Sequence, residues 1–189
     1  TDLPPPDEAH LDQCAAHGFP PLAPQGLARD PRWRGLVRDL AGRLGSSAPA
    51  QARAVLERIV ISDDVWIEEQ ADALLALDLA RVDIAASAII GAALQVYWSR
   101  LAQSLEPSRI PSTGFASLCP VCGSHPVASV VHTGGAMDAL RYLVCSLCDS
   151  HWYLERAKCS NCNNTRQIGY HAVENPESAI RAESCPECR

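Results

Sequence analysis

The chain has 189 residues, of which 47% are hydrophobic and 20% charged, a composition that excludes general disorder. Its formal charge of −6 and its single lysine, Lys158, argue against a protein that binds nucleic acid or an anionic membrane surface. The first residues lack the basic and apolar regions of a secretory signal. The sequence therefore predicts a cytoplasmic protein with reduced thiols.

Residues 1–27 contain six of the fourteen prolines, and this density predicts an irregular arm. Four helices are predicted after it, because apolar residues recur at helical spacing. Asp30 is predicted to cap the first of them and the segment 62–64 the third. The predicted helices begin at Asp30-Pro31, Gln51, Ser62–Asp64 and Asp83, and end near Gly45, Val60, Leu79 and Leu105. The last helix is apolar almost all round, which places it at the centre of a bundle. Its uncharged stretch, 84–99, falls short of the roughly 20 residues of a membrane span.

A domain boundary is predicted within residues 107–114, which hold two prolines, two serines and a glycine. The predicted fold class is α+β, with an N-terminal helical bundle followed by two tandem rubredoxin-like or zinc-ribbon-like modules of four cysteines each. Residues 1–110 would form the proline-rich arm and the helical domain. Residues 111–157 and 158–189 would form the first and second metal modules.

Eight of the nine cysteines stand in C-x-x-C pairs near the end of the chain. The pairs are Cys119 and Cys122, Cys145 and Cys148, Cys159 and Cys162, and Cys185 and Cys188. The first two pairs are separated by 22 residues, and so are the last two, so the frame repeats with a shift of 40 residues. The equal inserts favour one site within each repeat, rather than sites that mix the repeats.

Four thiolates that close a tetrahedron are typical of structural zinc and of rubredoxin-type iron. Two strand-like segments lie between the two cysteine pairs of each repeat. They can form the hairpin that brings one pair against the other. These segments are 127–131 and 140–144 in the first repeat, and 167–173 and 180–183 in the second. A further strand is predicted over 151–156. The ligand pattern alone favours zinc over iron, although both metals accept four thiolates.

Other interpretations of the cysteines are weaker. Disulfides would require export, and a thioredoxin-like site normally has one C-x-x-C pair beside a βαβ unit. Cys14, in the proline-rich arm, is predicted to be a surface thiol. Four histidines flank the cysteine pairs and could tune them through hydrogen bonds, or could merely pack or face water: His125, His132, His151 and His171. Phosphate-loop, hydrolase-elbow and dinucleotide motifs are missing, and a four-thiolate site leaves no open position, so no catalysis is predicted.

The sequence closely resembles the formate dehydrogenase accessory protein FdhE family over nearly its whole length. The resemblance rests on the segments CPVCGSHP, LRYL, KCSNC and ESCPEC, on PPL in the arm, and on the helix around Trp33; these segments are 119–126, 140–143, 158–162, 183–188 and 20–22. Members of the family continue past the last cysteine pair, so the resemblance implies that these 189 residues are a fragment or a trimmed chain.

The resemblance implies a cytoplasmic maturation factor that is not an enzyme and that carries two iron ions in rubredoxin-like four-cysteine sites. Its implied partner is the catalytic subunit of respiratory formate dehydrogenases exported by the twin-arginine route, which need it for activity. The alternative is a zinc-ribbon adaptor that binds nucleic acid or another protein complex. The net negative charge favours the maturation factor. The protein is expected neither to bind nucleic acid nor to insert into a membrane.

Overall fold

Five α-helices precede five short β-strands in the computed structural model, which describes residues 3–112 and 116–188. The helices are α1 (Glu8–His17), α2 (Trp33–Gly45), α3 (Ala50–Ile61), α4 (Asp64–Leu75) and α5 (Ile84–Gln103). The strands are β1 (Pro126–Val131), β2 (Arg141–Cys145), β3 (His151–Tyr153), β4 (Gly169–Ala172) and β5 (Arg181–Ser184). Short 3₁₀ turns lie at Pro107–Arg109 and Gly135–Met137. This order confirms the predicted α+β class, a helical region followed by strands that carry two clusters of four cysteines.

The described residues divide into two compact units. A helical unit contains residues 3–6 and 22–106, and a cysteine unit contains residues 7–21, 107–112 and 116–188. Residues 7–21 thus group with the cysteine modules, whereas the sequence-based division placed them with the helices. The predicted boundary segment lies partly outside the described residues, and the division into three domains stays a prediction.

The prediction of an irregular arm over residues 1–27 is wrong for α1. No proline lies between Pro6 and Pro20, so the ten residues of α1 are free to form a helix. The Asp7 side chain caps this helix by accepting a hydrogen bond from the His10 backbone N–H at 2.8 Å. Gly18 ends it in the left-handed conformation, with φ of 69°. Proline density therefore marks the flanks of the helix and not its interior.

Helix α5 forms the centre of the helical unit, as its apolar pattern predicts, and contacts α2, α3 and α4. Ile90, Ala93 and Trp98 on this helix are fully buried. The indole N–H of Trp98 donates a hydrogen bond to the buried Leu22 carbonyl at 2.9 Å. By length and composition, α5 is the one helix of the described residues that is apolar enough to cross a membrane. Its buried residues show that it also serves as the core helix of the unit.

The N-cap predicted within 62–64 is confirmed for α4, whereas the cap predicted at Asp30 is wrong, because α2 begins at Trp33 after Arg32 and has no side-chain cap. Helix α5 begins where the sequence predicts it, after Asp83. The Asp63 side chain accepts a hydrogen bond from the Trp66 backbone N–H at 2.8 Å. The Asp83 side chain accepts bonds from the Ala85 and Ala86 N–H groups at 3.1 and 3.2 Å. The predicted end of α4 near Leu79 is wrong, because Leu77 takes a left-handed backbone conformation with φ of 56° and the helix ends at Leu75.

Replacing Asp83 with alanine is expected to lower the free energy of unfolding by about 1–2 kcal/mol, because two backbone N–H groups lose their cap. Asp83→Asn keeps a capping oxygen and loses only the ion pair with Arg58, so it should cost less. The hydrogen bond from Arg58 lowers the pKa of Asp83 from its usual value of 3.8. Urea unfolding monitored by far-UV circular dichroism measures both effects.

The sign of the pH effect follows from that lowered pKa. The ion pair stabilises the folded state above the pKa of the unfolded carboxyl, and this contribution is lost as the pH falls through the lower folded pKa. The stability difference between the wild-type chain and Asp83→Asn should therefore shrink below about pH 4. A difference that grows on acidification would show that Arg58 does not stabilise the ionised carboxyl.

The strands of the cysteine unit form two small antiparallel sheets. One has the order β1-β2-β3, and the other pairs β4 with β5. In the larger sheet the buried Leu143 lies opposite Ser129 on one side and Trp152 on the other. Each sheet includes a strand that leads into a cysteine pair, since β2 ends at Cys145 and β5 ends one residue before Cys185. The sheets thus set the position of the cysteines.

Candidate metal centres

The first cluster consists of the cysteines of the first repeat, and all four are buried: Cys119, Cys122, Cys145 and Cys148. Their sulfur atoms all lie within 4.8 Å of one another. The Sγ atoms of Cys119 and Cys148 are 3.5 Å apart, and those of Cys122 and Cys145 are 3.4 Å apart. The β1–β2 hairpin brings the two pairs together, as the 22-residue insert predicts.

The second cluster consists of the cysteines of the second repeat, and it is more open: Cys159, Cys162, Cys185 and Cys188. The Sγ atoms of Cys159 and Cys188 are 3.6 Å apart, as are those of Cys162 and Cys185. Cys162 is exposed and Cys188 is half-buried. The repeats therefore build the same arrangement of sulfurs with different access to solvent.

The donor set fits a four-coordinate thiophilic metal. A tetrahedral ion with metal–sulfur distances near 2.3 Å separates its sulfurs by about 3.8 Å. The sulfur pairs lie at 3.4–3.6 Å, with every separation in each cluster below 4.8 Å, and none of these cysteines forms a disulfide. Within the described residues, both clusters consist of cysteines alone. That the eight thiolates are metal ligands stays a prediction, and the geometry suits iron and zinc alike.

In two of the cysteine pairs, backbone N–H groups of the turn point at the sulfur of the first cysteine. The backbone N–H groups of Leu147 and Cys148 approach Cys145 Sγ at 3.3 and 3.4 Å, and that of Asn161 approaches Cys159 Sγ at 3.4 Å. Such N–H dipoles stabilise a thiolate. The residue after three of the pairs is left-handed, a conformation common for glycine, asparagine and aspartate: Gly123, Asp149 and Asn163.

The thiols within a cluster perturb one another. Hydrogen bonds with Cys122, Cys145 and Cys148, followed by burial, raise the pKa of Cys119, and the matching contacts lower the pKa of Cys145. Burial opposes ionisation of Cys185, but hydrogen bonds from the Cys188 backbone and the Asn164 side chain bring its pKa down to about 6. Four thiolates in one small volume repel one another, and a bound cation removes this cost.

The flanking histidines have structural contacts. The His132 ring packs edge-on against Tyr142, with ring centroids 5.3 Å apart. His171 Nε2 forms a hydrogen bond with the Ser184 hydroxyl at 2.8 Å. The His125 carbonyl accepts from the Ser146 N–H at 3.1 Å, and His151 is an exposed residue of β3. A role for these histidines in tuning the metal stays a prediction.

The prediction that Cys14 is a surface thiol is wrong. Cys14 is only 6% exposed, because it shares the buried side of α1 with Leu11. Its Sγ lies 3.5 Å from His10 Nε2, which also lies 2.8 Å from the Pro21 carbonyl. Burial raises the pKa of the Cys14 thiol, so it is a structural cysteine separate from the clusters.

Sequence reasoning missed Arg141, the one charged side chain that is almost fully buried among the described residues. It forms an ion pair with Glu183. The available signal was a charge within the apolar run of β2, since a strand that is buried on one face seldom contains an unpaired arginine. Arg141 lies in the first repeat and Glu183 in the second, so the pair joins the two modules.

A chelator is expected to remove metal from the second cluster before the first. Exposed Cys162 lets water and chelator reach the second ion, whereas all four sulfurs of the first cluster are buried. We expect metal release in two phases. The rate constant of the slow phase should be at least about 10-fold smaller than that of the fast phase. Cys162→Ser should abolish the fast phase and keep the slow one; loss of the slow phase instead would reverse the assignment.

The comparisons with known proteins agree on one family. The family model "FdhE, N-terminal" matches residues 1–114, and "FdhE, central domain" matches residues 118–156. A "Protein FdhE homolog" of Edwardsiella ictaluri is 43% identical over 176 residues, which cover 93% of this chain and 57% of the relative. One of Yersinia pestis (strain Pestoides F) is 40% identical over 182 residues, covering 96% of this chain and 59% of the relative.

A solved structure supports the same relationship. The crystal structure of the FdhE protein from Pseudomonas aeruginosa matches with a TM-score of 0.84 and 35% sequence identity. The match covers 100% of this chain and 66% of that one. The chain thus spans 57–59% of the length of these two curated relatives.

Proposed function

The chain belongs to the FdhE family, and from this premise we propose that it is part of a metal-binding maturation factor for formate dehydrogenase. The proposed partner is the catalytic subunit of respiratory formate dehydrogenases that are exported by the twin-arginine route. The factor acts in the cytoplasm, before export, and the subunit needs it to become active. The family relationship is the observation that carries this proposal.

Two metal ions are part of the proposal. The clusters offer eight thiolates in two sets of four, and their sulfur separations suit four-coordinate iron or zinc. We propose iron, because the family resemblance implies rubredoxin-like sites. A bound ion would neutralise the thiolates and fix the hairpins, and iron would also supply one-electron redox chemistry.

The proposed factor is not itself an enzyme. A closed site of four thiolates has no open coordination position for substrate, in contrast with catalytic metal sites that keep one. The chain's own residues would instead hold the metal and present a folded surface to the partner. Formate oxidation would belong to the captured subunit.

Capture from cells tests the partner. A tagged full-length form of this protein, expressed anaerobically with a formate dehydrogenase catalytic subunit, should co-purify with that subunit after nuclease treatment. The double variant Cys119→Ser/Cys148→Ser should lose most of the capture, since the first module loses two metal ligands. Cys14→Ala is the matched control, because Cys14 lies outside both clusters.

Activity measurements complete the test. The purified protein should not oxidise formate, and restoring it to cells that lack their own copy should restore formate dehydrogenase activity. Capture of nucleic acid in place of the subunit would favour the zinc-ribbon adaptor. The net charge of −6 argues against that result.

A further inference from the structure

Arg141 lies at the junction of the two cysteine modules. It begins β2, four residues before Cys145, and its side chain is 2% exposed. Its Nη1 donates hydrogen bonds to the carbonyls of Lys158 at 2.8 Å and Arg156 at 3.4 Å, in the segment that connects the modules. Its Nη2 pairs with the Glu183 carboxylate. One buried guanidinium therefore holds both the connecting segment and a strand of the second module.

Glu183 connects Arg141 to both cysteine pairs of the second cluster. It lies on β5, two residues before Cys185. Its other carboxylate oxygen accepts hydrogen bonds from the Ser160 backbone N–H at 3.0 Å and hydroxyl at 3.3 Å. Ser160 directly follows Cys159. The carboxylate thus connects the Cys159 turn to the strand that leads into Cys185.

The two repeats differ at the positions that form this contact. The 40-residue shift places Arg181 at the position equivalent to Arg141, yet Arg181 is exposed and donates to the Pro176 carbonyl at 3.0 Å. The shift also places the fully buried Leu143 at the position equivalent to Glu183. Within the described residues, the first module therefore supplies a buried charged side chain that supports the second cluster. The second module supplies no equivalent side chain to the first cluster.

We propose that Arg141 is a positioning residue for the second metal site, and that the two sites load in order, the first before the second. Folding of the first module around its ion fixes β2 and hence the guanidinium. The guanidinium then holds Glu183 where its carboxylate brings the two halves of the second cluster together. The proposal rests on the metal binding proposed above and deepens it by making one site depend on the other.

Two physical arguments support this dependence. A buried charge is stable only when it is paired and hydrogen-bonded, so Arg141 and Glu183 constrain each other's position strongly. Groups that hold the ligands of a metal in place typically change its affinity by about 10- to 100-fold when they are removed. The second cluster is more open than the first, so it should depend on the pair more.

Cobalt(II) binding to the reduced full chain, under anaerobic conditions, tests the proposal. Charge-transfer absorption from thiolate to cobalt reports each filled site, and competition with a chelator gives the affinities. Cys185→Ser, which keeps the first cluster intact, identifies the signal of the first site. Arg141→Met should weaken cobalt binding at the second site by about 10- to 100-fold and leave the first unchanged. Arg181→Met is the matched control and should bind cobalt at both sites as the wild-type chain does.

Glu183→Gln is a second variant that tests the same proposal if Arg141→Met does not fold. It removes the charge that faces Arg141 but keeps an oxygen for Ser160, and it should also weaken the second site selectively. Second-site binding by Glu183→Gln as tight as by Arg181→Met would overturn the proposal, as would equal losses at both sites. A wild-type chain that binds no cobalt would instead overturn the metal-binding proposal, and this one with it.

Discussion

Cys145→Ser is expected to empty the first metal site of the full chain and to weaken the second. A serine hydroxyl does not replace the lost thiolate at neutral pH, so the first cluster loses a ligand and its hairpin loses the ion that holds it. Cys145 also ends β2, the strand that begins with Arg141. When that strand is no longer fixed, Glu183 loses its partner and the second cluster weakens.

Cys185→Ser is the matched comparison, since Cys185 occupies the same position in the second repeat. It should remove the second ion and leave the affinity of the first site unchanged, whereas Cys145→Ser should remove the first ion and also weaken the second site by about 10- to 100-fold. Metal analysis of both variants, purified anaerobically beside Cys14→Ala, measures the difference. Loss of both ions from Cys185→Ser would show one cooperative unit, and a second site in Cys145→Ser that binds cobalt as tightly as in the wild-type chain would show independent sites.

Trp98→Ala is expected to lower the free energy of unfolding of the helical unit by about 3–5 kcal/mol. Trp98 is fully buried on α5, so its removal leaves a large cavity at the centre of the bundle. The substitution also leaves the buried Leu22 carbonyl without the indole N–H that donates to it at 2.9 Å. Urea unfolding followed by far-UV circular dichroism at neutral pH measures the loss.

Trp66→Ala is the control for the tryptophan prediction. Trp66 is half-buried on α4, and Arg58 lies over its ring at 5.6 Å. Its loss should cost about 1 kcal/mol, the contribution of a cation–π contact near the surface. Equal losses from the two variants would contradict the central position of α5.

The grouping of the cysteines could be predicted because the information is local and repeated. Two residues between cysteines produce a turn, and two inserts of 22 residues produce hairpins that bring the paired turns together. The starts of α4 and α5 could be predicted for a similar reason. Asp63 and Asp83 directly precede apolar periodic residues, and a cap depends on the next three residues only.

Other features depend on contacts between distant residues. The Arg141–Glu183 ion pair joins residues 42 positions apart, and no spacing rule connects them. The burial of Cys14 depends on how α1 packs. The prolines on both sides of α1 keep the sequence pattern from indicating this helix. The early end of α4 depends on the backbone conformation of Leu77, a residue type that seldom takes positive φ values. Tertiary structure sets each of these features, and the local pattern does not reveal it.

Elemental analysis of the anaerobically purified chain, together with its visible spectrum, measures whether the two four-cysteine clusters each hold one metal ion. We expect about two ions per chain, with a red ferric–thiolate spectrum after mild oxidation of the iron form. Two zinc ions without colour would keep the ligand assignment and remove the redox role. Fewer than two ions per chain, in protein whose eight cluster thiols are reduced and undamaged, would show that at least one cluster is not a metal site.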